Sequence, residues 1–384
     1  MQFEFATATR IMFGTGRLKE VGSIAAEMGK CAFVVTGHSI DRATPLFKAL
    51  AEKPVDYLTF SVSGEPTTEI VRVGTQQAQE NHCDMVIGFG GGSPLDTGKA
   101  IAALLTNGGD PLDYLEVIGK GKPITKAAAP YIAIPTTAGT GTEVTRNAVL
   151  KSSEHQVKVS LRGLLILPRV ALIDPELTYT LPPAVTASTG LDAFTQVLEP
   201  FVSNAPNPMT DAVCREGMRR AARSLRRAYE HGDDPAARGD MAVVSLFGGL
   251  ALANARLGAV HGFAGPLGGM FPAPHGAVCA RLLPYVMAMN VRALRERLPQ
   301  TEALRRYDEI AQILTSKANA TASDGVVWVQ ELCDALQAPP LSNYGMSSED
   351  IPVLVEKSAK ASSMKGNPVL LTAEELREIL TQAL

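Results

Sequence analysis

The first half of the chain alternates short apolar runs with stretches of helical period. Cys31 to Thr36 is an apolar run closed by Gly37, and a helical stretch follows from about Thr44 to Glu52. Val55 to Phe60 and then Thr67 to Asn81 repeat the pair. Met85 to Ile87 begins a third pair, whose helix opens at Pro94. Tyr131 to Ile134 and Val170 to Asp174 are two more short apolar runs, closed by Pro135 and Pro175. This alternation predicts a parallel sheet with helices on both faces. From Pro182-Pro183 onward the period is helical throughout. Helices are predicted near 184–202, 208–229, 241–257, 276–289 and 304–316, with two or three more before Leu384. The expected organisation is an α/β domain over residues 1–181 and an all-helical domain over 182–384.

Ligands of parallel sheets bind beyond the carboxyl ends of the strands. Here Gly37, Gly88 to Ser93 and Thr136-Thr137 all lie just past predicted strand ends. In G-F-G-G-G-S, residues 88 to 93, the backbone can turn tightly and a ligand can come close. A helix start follows at once, so free N–H groups and a helix dipole make an anion site. The segment fits neither common phosphate template. Ser93 stands at the third glycine position of the dinucleotide fingerprint, and Ala100 follows Lys99 where a P-loop needs Ser or Thr. Asp96 and Lys99 then either face the ligand or are solvated charges on the helix. The bland alternative for the whole segment is a glycine-rich turn with no ligand.

Composition narrows the field. At 384 residues the chain is long for a single core. With 46% hydrophobic and 20% charged residues and a net charge of −3, it lacks the basic surface that nucleic acid requires. No continuous apolar run has the length of a membrane span, and no leader-like segment opens the sequence. The five cysteines (Cys31, Cys83, Cys214, Cys279 and Cys333) are scattered, which suits buried, reduced thiols in the cytoplasm.

The helical half carries a second set of residues. Asp192 and Gln196 are four apart, on one helix face. His261 and His275 flank a stretch rich in glycine and proline that is expected to be a loop or broken helix. One Asp and two His make a plausible metal set with room for substrate. Histidines buried for structural reasons are the alternative.

In chain order, F-G-T-G (13–16), G-G-G-S-P-L-D-T-G-K (90–99), P-T-T-A-G-T-G-T-E-V-T (135–145), I-D-P-E-L (173–177), L-D-A-F-T-Q (191–196), H-G-F-A-G-P-L-G-G (261–269) and P-H-G (274–276) resemble the iron-containing (group III) alcohol dehydrogenase family. The resemblance covers nearly the whole chain. It implies a dehydroquinate synthase-like fold, with a Rossmann-like nucleotide-binding domain followed by a helical metal and substrate domain. The implied reaction is hydride transfer between NAD(P) and a small alcohol, aldehyde or ketone, assisted by a divalent metal. The resemblance implies cofactor contacts at Gly37, Ser39, Gly90, Gly91, Gly92, Ser93, Asp96, Thr136, Thr137, Thr142, Lys158 and Leu177. It implies metal ligands at Asp192, Gln196, His261 and His275, with the two histidines also catalytic.

Two positions depart from the family pattern. Gln196 stands where a fourth ligand is usually histidine, and Gly265 where a histidine usually relays protons. An amide oxygen is a weaker ligand than imidazole. The ion is therefore open among Fe, Zn, Mn and Mg, and a metal-free enzyme is an alternative. Gly37 replaces the Asp that often holds the ribose 2′-hydroxyl of NAD, so the cofactor reading leans to NADP or to either nucleotide. The resemblance further implies a cytoplasmic homodimer. Competing readings are a maleylacetate reductase-like enzyme reducing an oxo-dicarboxylate without metal, and a nucleotide-binding protein with a decayed site. Relatives that use phosphorylated substrates, such as dehydroquinate synthases and glycerol-1-phosphate dehydrogenases, would need basic residues. Arg256 and Arg281 are the nearest candidates in sequence.

Overall fold

The computed structural model describes residues 2–155 and 157–384. Contacts divide these into two units. One comprises Ala6–Thr137 and Gly141–Thr178; the other comprises Tyr179–Leu384 with the N-terminal residues through Phe5 and the short segment Ala138–Thr140.

The first unit is a six-stranded parallel sheet. Its strands are β1 (Arg10–Phe13), β2 (Cys31–Gly37), β3 (Asp56–Val62), β4 (Met85–Gly90), β5 (Tyr131–Pro135) and β8 (Val170–Ile173), in the order β1-β8-β5-β4-β2-β3. Helices α1 (Val21–Met28) and α2 (Thr44–Ala51) pack with one set of core residues, and α3 (Thr68–Glu80) and α4 (Gly92–Asn107) with the other. Strand β2 shows why both faces are covered: Phe33 and Val35 join the core of α3 and α4, while Ala32 and Val34 turn to α1 and α2. This is the two-residue period of a strand buried on both sides. The short helix α5 (Pro111–Tyr114) follows α4.

Beside α1 and α5, which the sequence expectation lacked, three stretches of the fold bear on it. The edge strand β1 buries only Met12 among its four residues, too little pattern to stand out. A separate antiparallel hairpin, β6 (Asn147–Ser152) with β7 (Val157–Arg162), occupies a stretch with no expected element. The third is the stretch around His261, described below.

The second unit is helical: α6 (Pro183–Val202), α7 (Pro208–Glu230), α8 (Pro235–Asn254), α9 (Ala259–Met270), α10 (His275–Arg297), α11 (Glu302–Thr315), α12 (Ala322–Ala335), α13 (Ile351–Lys360) and α14 (Ala373–Ala383). Helix α6 is buried on all sides from Gly190 to Val202. Phe194 and Phe201 anchor it in a core shared with Phe263 and Tyr307. Helix α8 starts six residues before the expected 241, because Asp234 caps it by accepting from Ala236 and Ala237 N–H, both at 3.0 Å, with Pro235 at its first position. Helices α8 and α10 are apolar and long enough to cross a membrane, although the sequence holds no continuous run of that length; here most of that apolar surface is buried in the helical core.

Of the loop or broken helix expected between His261 and His275, the structure shows the broken helix: α9 carries His261, the chain breaks over 271–274, and α10 begins at His275. The glycines near His261 serve packing: a Cβ on Gly262 would meet Met364 at 2.9 Å, and one on Gly258 would meet Glu199 Oε1 at 2.8 Å. Pro266 sits inside α9, and burial of Val260, Phe263, Ala264 and Leu267 offsets its missing N–H.

Candidate functional site

In the first unit the parallel pairing brings four loops to one edge of the sheet. Strands β8, β5, β4 and β2 are successive neighbours, so Leu177, Thr136-Thr137, Gly90 to Ser93, and Gly37 with Ser39 all follow carboxyl ends on that edge. Gly90 and Pro135 are direct register partners, and Thr136 N–H donates to the Gly90 carbonyl at 2.8 Å. Gly90 has φ +152°, and a Cβ there would strike Pro94 at 2.7 Å, so the position requires glycine. Helix α4 starts at Gly92 with no side-chain cap, and Gly91, Gly92 and Ser93 are partly exposed. Uncapped N–H groups at the start of a sixteen-residue helix are of the kind that can seat an anion.

Asp96 and Lys99 are neither solvated nor open to a ligand in this structure. Asp96 accepts from the Thr142 hydroxyl and from Val149 N–H. The Lys99 ammonium is fully buried and donates to the carbonyls of Thr142 at 2.7 Å, Thr145 at 2.9 Å and Asn147 at 2.8 Å. It ties the loop after Thr137 to α4. Lys158, on β7, pairs with Glu65 at 2.8 Å, and the Leu177 carbonyl accepts from Arg42 at 3.3 Å.

In the second unit α6 places Asp192, Gln196 and Glu199 on one face, at spacing i, i+4, i+7. Helix α9 supplies His261, and α10 opens with His275 and carries Cys279 one turn later. One donor atom from each of Asp192, His261, His275 and Cys279 lies within 4.8 Å of all the others. The Nε2 atoms of His261 and His275 stand 3.4 and 3.7 Å from the same Asp192 oxygen, Oδ1. These distances exceed a normal N–H···O bond. Asp192 Oδ1 and Gln196 Oε1 are buried and have no hydrogen-bond partner. Buried polar atoms are almost always satisfied, so an orphaned Asp192 Oδ1 facing two imidazoles marks a place that could hold a cation. The donor set of carboxylate and imidazole suits a divalent ion.

The surroundings fix these donors. Glu199, absent from the sequence expectation, holds His261 Nδ1 at 2.7 Å through Oε2 and accepts Val260 N–H at 2.7 Å through Oε1. A carboxylate on Nδ1 sets the tautomer so that Nε2 faces the cation site. Burial works against a charged His261, but the Asp192 and Glu199 carboxylates beside it prevail and raise it to about 10. Burial likewise favours a neutral Asp192, yet the two histidines and a hydrogen bond from Gln196 keep it below its ordinary value. We expect Glu199→Gln to weaken divalent-ion affinity about 10- to 100-fold, as read by competition with a chromophoric chelator; unchanged affinity would remove Glu199 from the site.

Gly265 lies one turn after His261, and a Cβ there would meet nothing within 4 Å, so space stands where the family histidine would be. The two arginines noted in the sequence are engaged elsewhere. Arg281 donates to the carbonyls of Ala383 and Gln382, and Arg256 to Asn204.

Comparison with known proteins agrees with this geometry. The family described as iron-containing alcohol dehydrogenase matches residues 8–175, and the one described as Fe-containing alcohol dehydrogenase family, C-terminal, matches residues 186–384. Choline dehydrogenase of Bacillus subtilis is 34% identical over 369 residues, covering 95% of this chain and 90% of that protein. Alcohol dehydrogenase 4 of Saccharomyces cerevisiae is 35% identical over 377 residues, covering 97% and 96%. A crystal structure of 1,3-propanediol oxidoreductase superposes with a TM-score of 0.93 at 32% identity, covering 100% of both chains. The chain belongs to the iron-containing alcohol dehydrogenase family, whose members here are oxidoreductases of small alcohols.

Proposed function

We propose that this alcohol oxidoreductase works with a divalent metal held by Asp192, His261 and His275, and with NADP or either nicotinamide nucleotide seated on Gly90 to Ser93. The observation that carries the metal is the pair of orphaned buried oxygens on Asp192 and Gln196. A bound ion would polarise the substrate carbonyl, and the nicotinamide would supply or accept the hydride. The chain's own part is orientation and charge. Asp192 and the two Nε2 atoms define where the carbonyl oxygen must lie, and Glu199 keeps His261 turned toward it. The uncapped start of α4 takes the pyrophosphate, with Thr136-Thr137 beside it and Gly37, Ser39 and Leu177 along the same edge. Asp96 and Thr142 hold that edge in shape. With Gly265 unable to carry a proton, His275 is the remaining exchangeable imidazole at partial exposure. A dicarboxylate or phosphorylated substrate is disfavoured, because Arg256 and Arg281 are already paired. The working unit is a cytoplasmic homodimer.

The test is oxidation of NADH and NADPH against a panel of short aldehydes, on chelated protein and after readdition of Fe²⁺, Zn²⁺, Mn²⁺ or Mg²⁺. Activity restored only by metal supports the reading; full turnover in metal-free protein overturns it. Cofactor choice has its own variant. A Cβ at Gly37 would meet only Pro94, at 3.8 Å, so an acid fits there. We expect Gly37→Asp to lower kcat/KM for NADPH by about tenfold or more, the cost of one unpaired charge repulsion of roughly 1.4 kcal/mol, with NADH little affected.

A further inference from the structure

We propose that Cys279 supplies a thiolate as the fourth metal ligand, in place of the imidazole that Gln196 does not provide. The inference rests on the metal site just proposed. It starts from helix geometry: His275 and Cys279 are four apart on α10, hence on one face, and the Cys279 Sγ lies 3.7 Å from His275 Nε2. Donors about 2.0–2.3 Å from a tetrahedral ion are themselves about 3.3–3.8 Å apart. Three donor pairs meet that spacing: His261 with Asp192 at 3.4 Å, His275 with Asp192 at 3.7 Å, and His275 with Cys279 at 3.7 Å. All four donor atoms fall within 4.8 Å of one another, so the remaining three pairs need to close by no more than about 1 Å on a bound ion.

The independent sign that this point wants a cation is the orphaned, buried Asp192 Oδ1. Gln196 is the competing fourth donor. It lies one helical turn after Asp192 on the same face, and its amide helps keep the Asp192 carboxyl below its ordinary value, which suits a positioning residue for that ligand. A neutral amide oxygen also binds a borderline ion less well than a thiolate does. On binding, the sulfur–metal bond forms as the thiol proton leaves to buffer. The Asp–His–His–Cys set is softer than one of Asp with three imidazoles, so it favours Zn²⁺ and Co²⁺ over Mn²⁺ and Mg²⁺.

Cobalt substitution of the full-length protein tests this without relying on turnover. Co²⁺ added to chelated protein should give a near-ultraviolet sulfur-to-metal charge-transfer band alongside its visible absorption. The band should vanish in Cys279→Ser and persist in Gln196→Ala. Cys279→Ser should also weaken Zn²⁺ binding by at least about 100-fold, beyond the usual effect of losing a supporting residue, while Mn²⁺ affinity changes much less. If Cys279→Ser does not fold, Cys279→Ala is read in its place, since the Cys31 and Cys83 thiols, 3.4 Å apart, could give a band of their own. Visible absorption of bound Co²⁺ without the charge-transfer band, or a band that survives Cys279→Ser, overturns the thiolate and leaves the metal site standing. No cobalt binding at all overturns both.

Discussion

Asp192→Ala will emerge from purification without its metal and will lose at least about a thousandfold in kcat/KM, roughly 4 kcal/mol of transition-state stabilisation. The expectation follows from the site's asymmetry. Both imidazoles aim Nε2 at one oxygen of Asp192, and among the described residues no other carboxylate is placed with the converging donors. Removing it takes away the carboxylate on which both imidazoles converge, leaving the histidines and the Cys279 thiol to hold a divalent charge without it. His261→Ala should be nearly as damaging, because it also strands Glu199, whose Oε2 would lose its partner in the interior. Elemental analysis beside steady-state kinetics on the aldehyde panel checks both. An Asp192→Ala enzyme within tenfold of wild type would mean that the histidines act as acids on their own, and the metal reading would fall.

How much of this was legible in the sequence depends on where each residue's signal lies. The sheet was readable because Cys31 to Thr36, Met85 to Ile87 and Tyr131 to Ile134 are apolar on both faces, and only a covered parallel strand has that pattern. The anion seat was readable because glycines leave a backbone trace in the sequence. Asp192, His261 and His275 were reached through motif order, and the structure brings them together. Glu199 was passed over although its spacing from Asp192, seven residues on a buried helix, was there to be used. Cys279 was counted among scattered thiols, because a cysteine four after a histidine means little until that histidine is known to begin a helix. The glycines and prolines between His261 and His275 argued for a loop or a broken helix, and only tertiary contacts decide for the helix. The cause of the glycines near His261, close approach to Met364 and Glu199, is tertiary and invisible locally. The β6–β7 hairpin was missed for a similar reason: its value is the loop it supports, through Lys99 and Asp96, and those contacts span more than forty residues.

Lys99→Met will destabilise the first unit by about 3–5 kcal/mol, the cost of leaving buried charge and acceptors unpaired. The ammonium is enclosed and serves the carbonyls of Thr142, Thr145 and Asn147, and it also faces the charges of Asp96 and Glu143. Methionine matches its length and none of its hydrogen bonds. The loop it secures leads from Thr136-Thr137, so nucleotide affinity should fall together with stability. Its titration gives a second signature. Burial pulls Lys99 down to about 8 from an ordinary 10.5, against the charges of Asp96 and Glu143. The unfolded chain therefore holds the extra proton between about 8 and 10.5, and this group makes stability rise with pH across that window. Burial pushes Glu143 the other way, up to about 7 from 4.5, so its contribution falls as pH rises from 4.5 to about 7. Lys99 and Glu143 together contribute least near neutral pH, and because the raised His261 works against the alkaline rise in the same window, the lysine's part is read as the difference between wild type and Lys99→Met. Lys99→Met should lack the alkaline rise and keep the acid limb. Urea unfolding of both proteins across this range measures the loss and the slope together. Equal midpoints at neutral pH would show that the loop holds itself without the lysine.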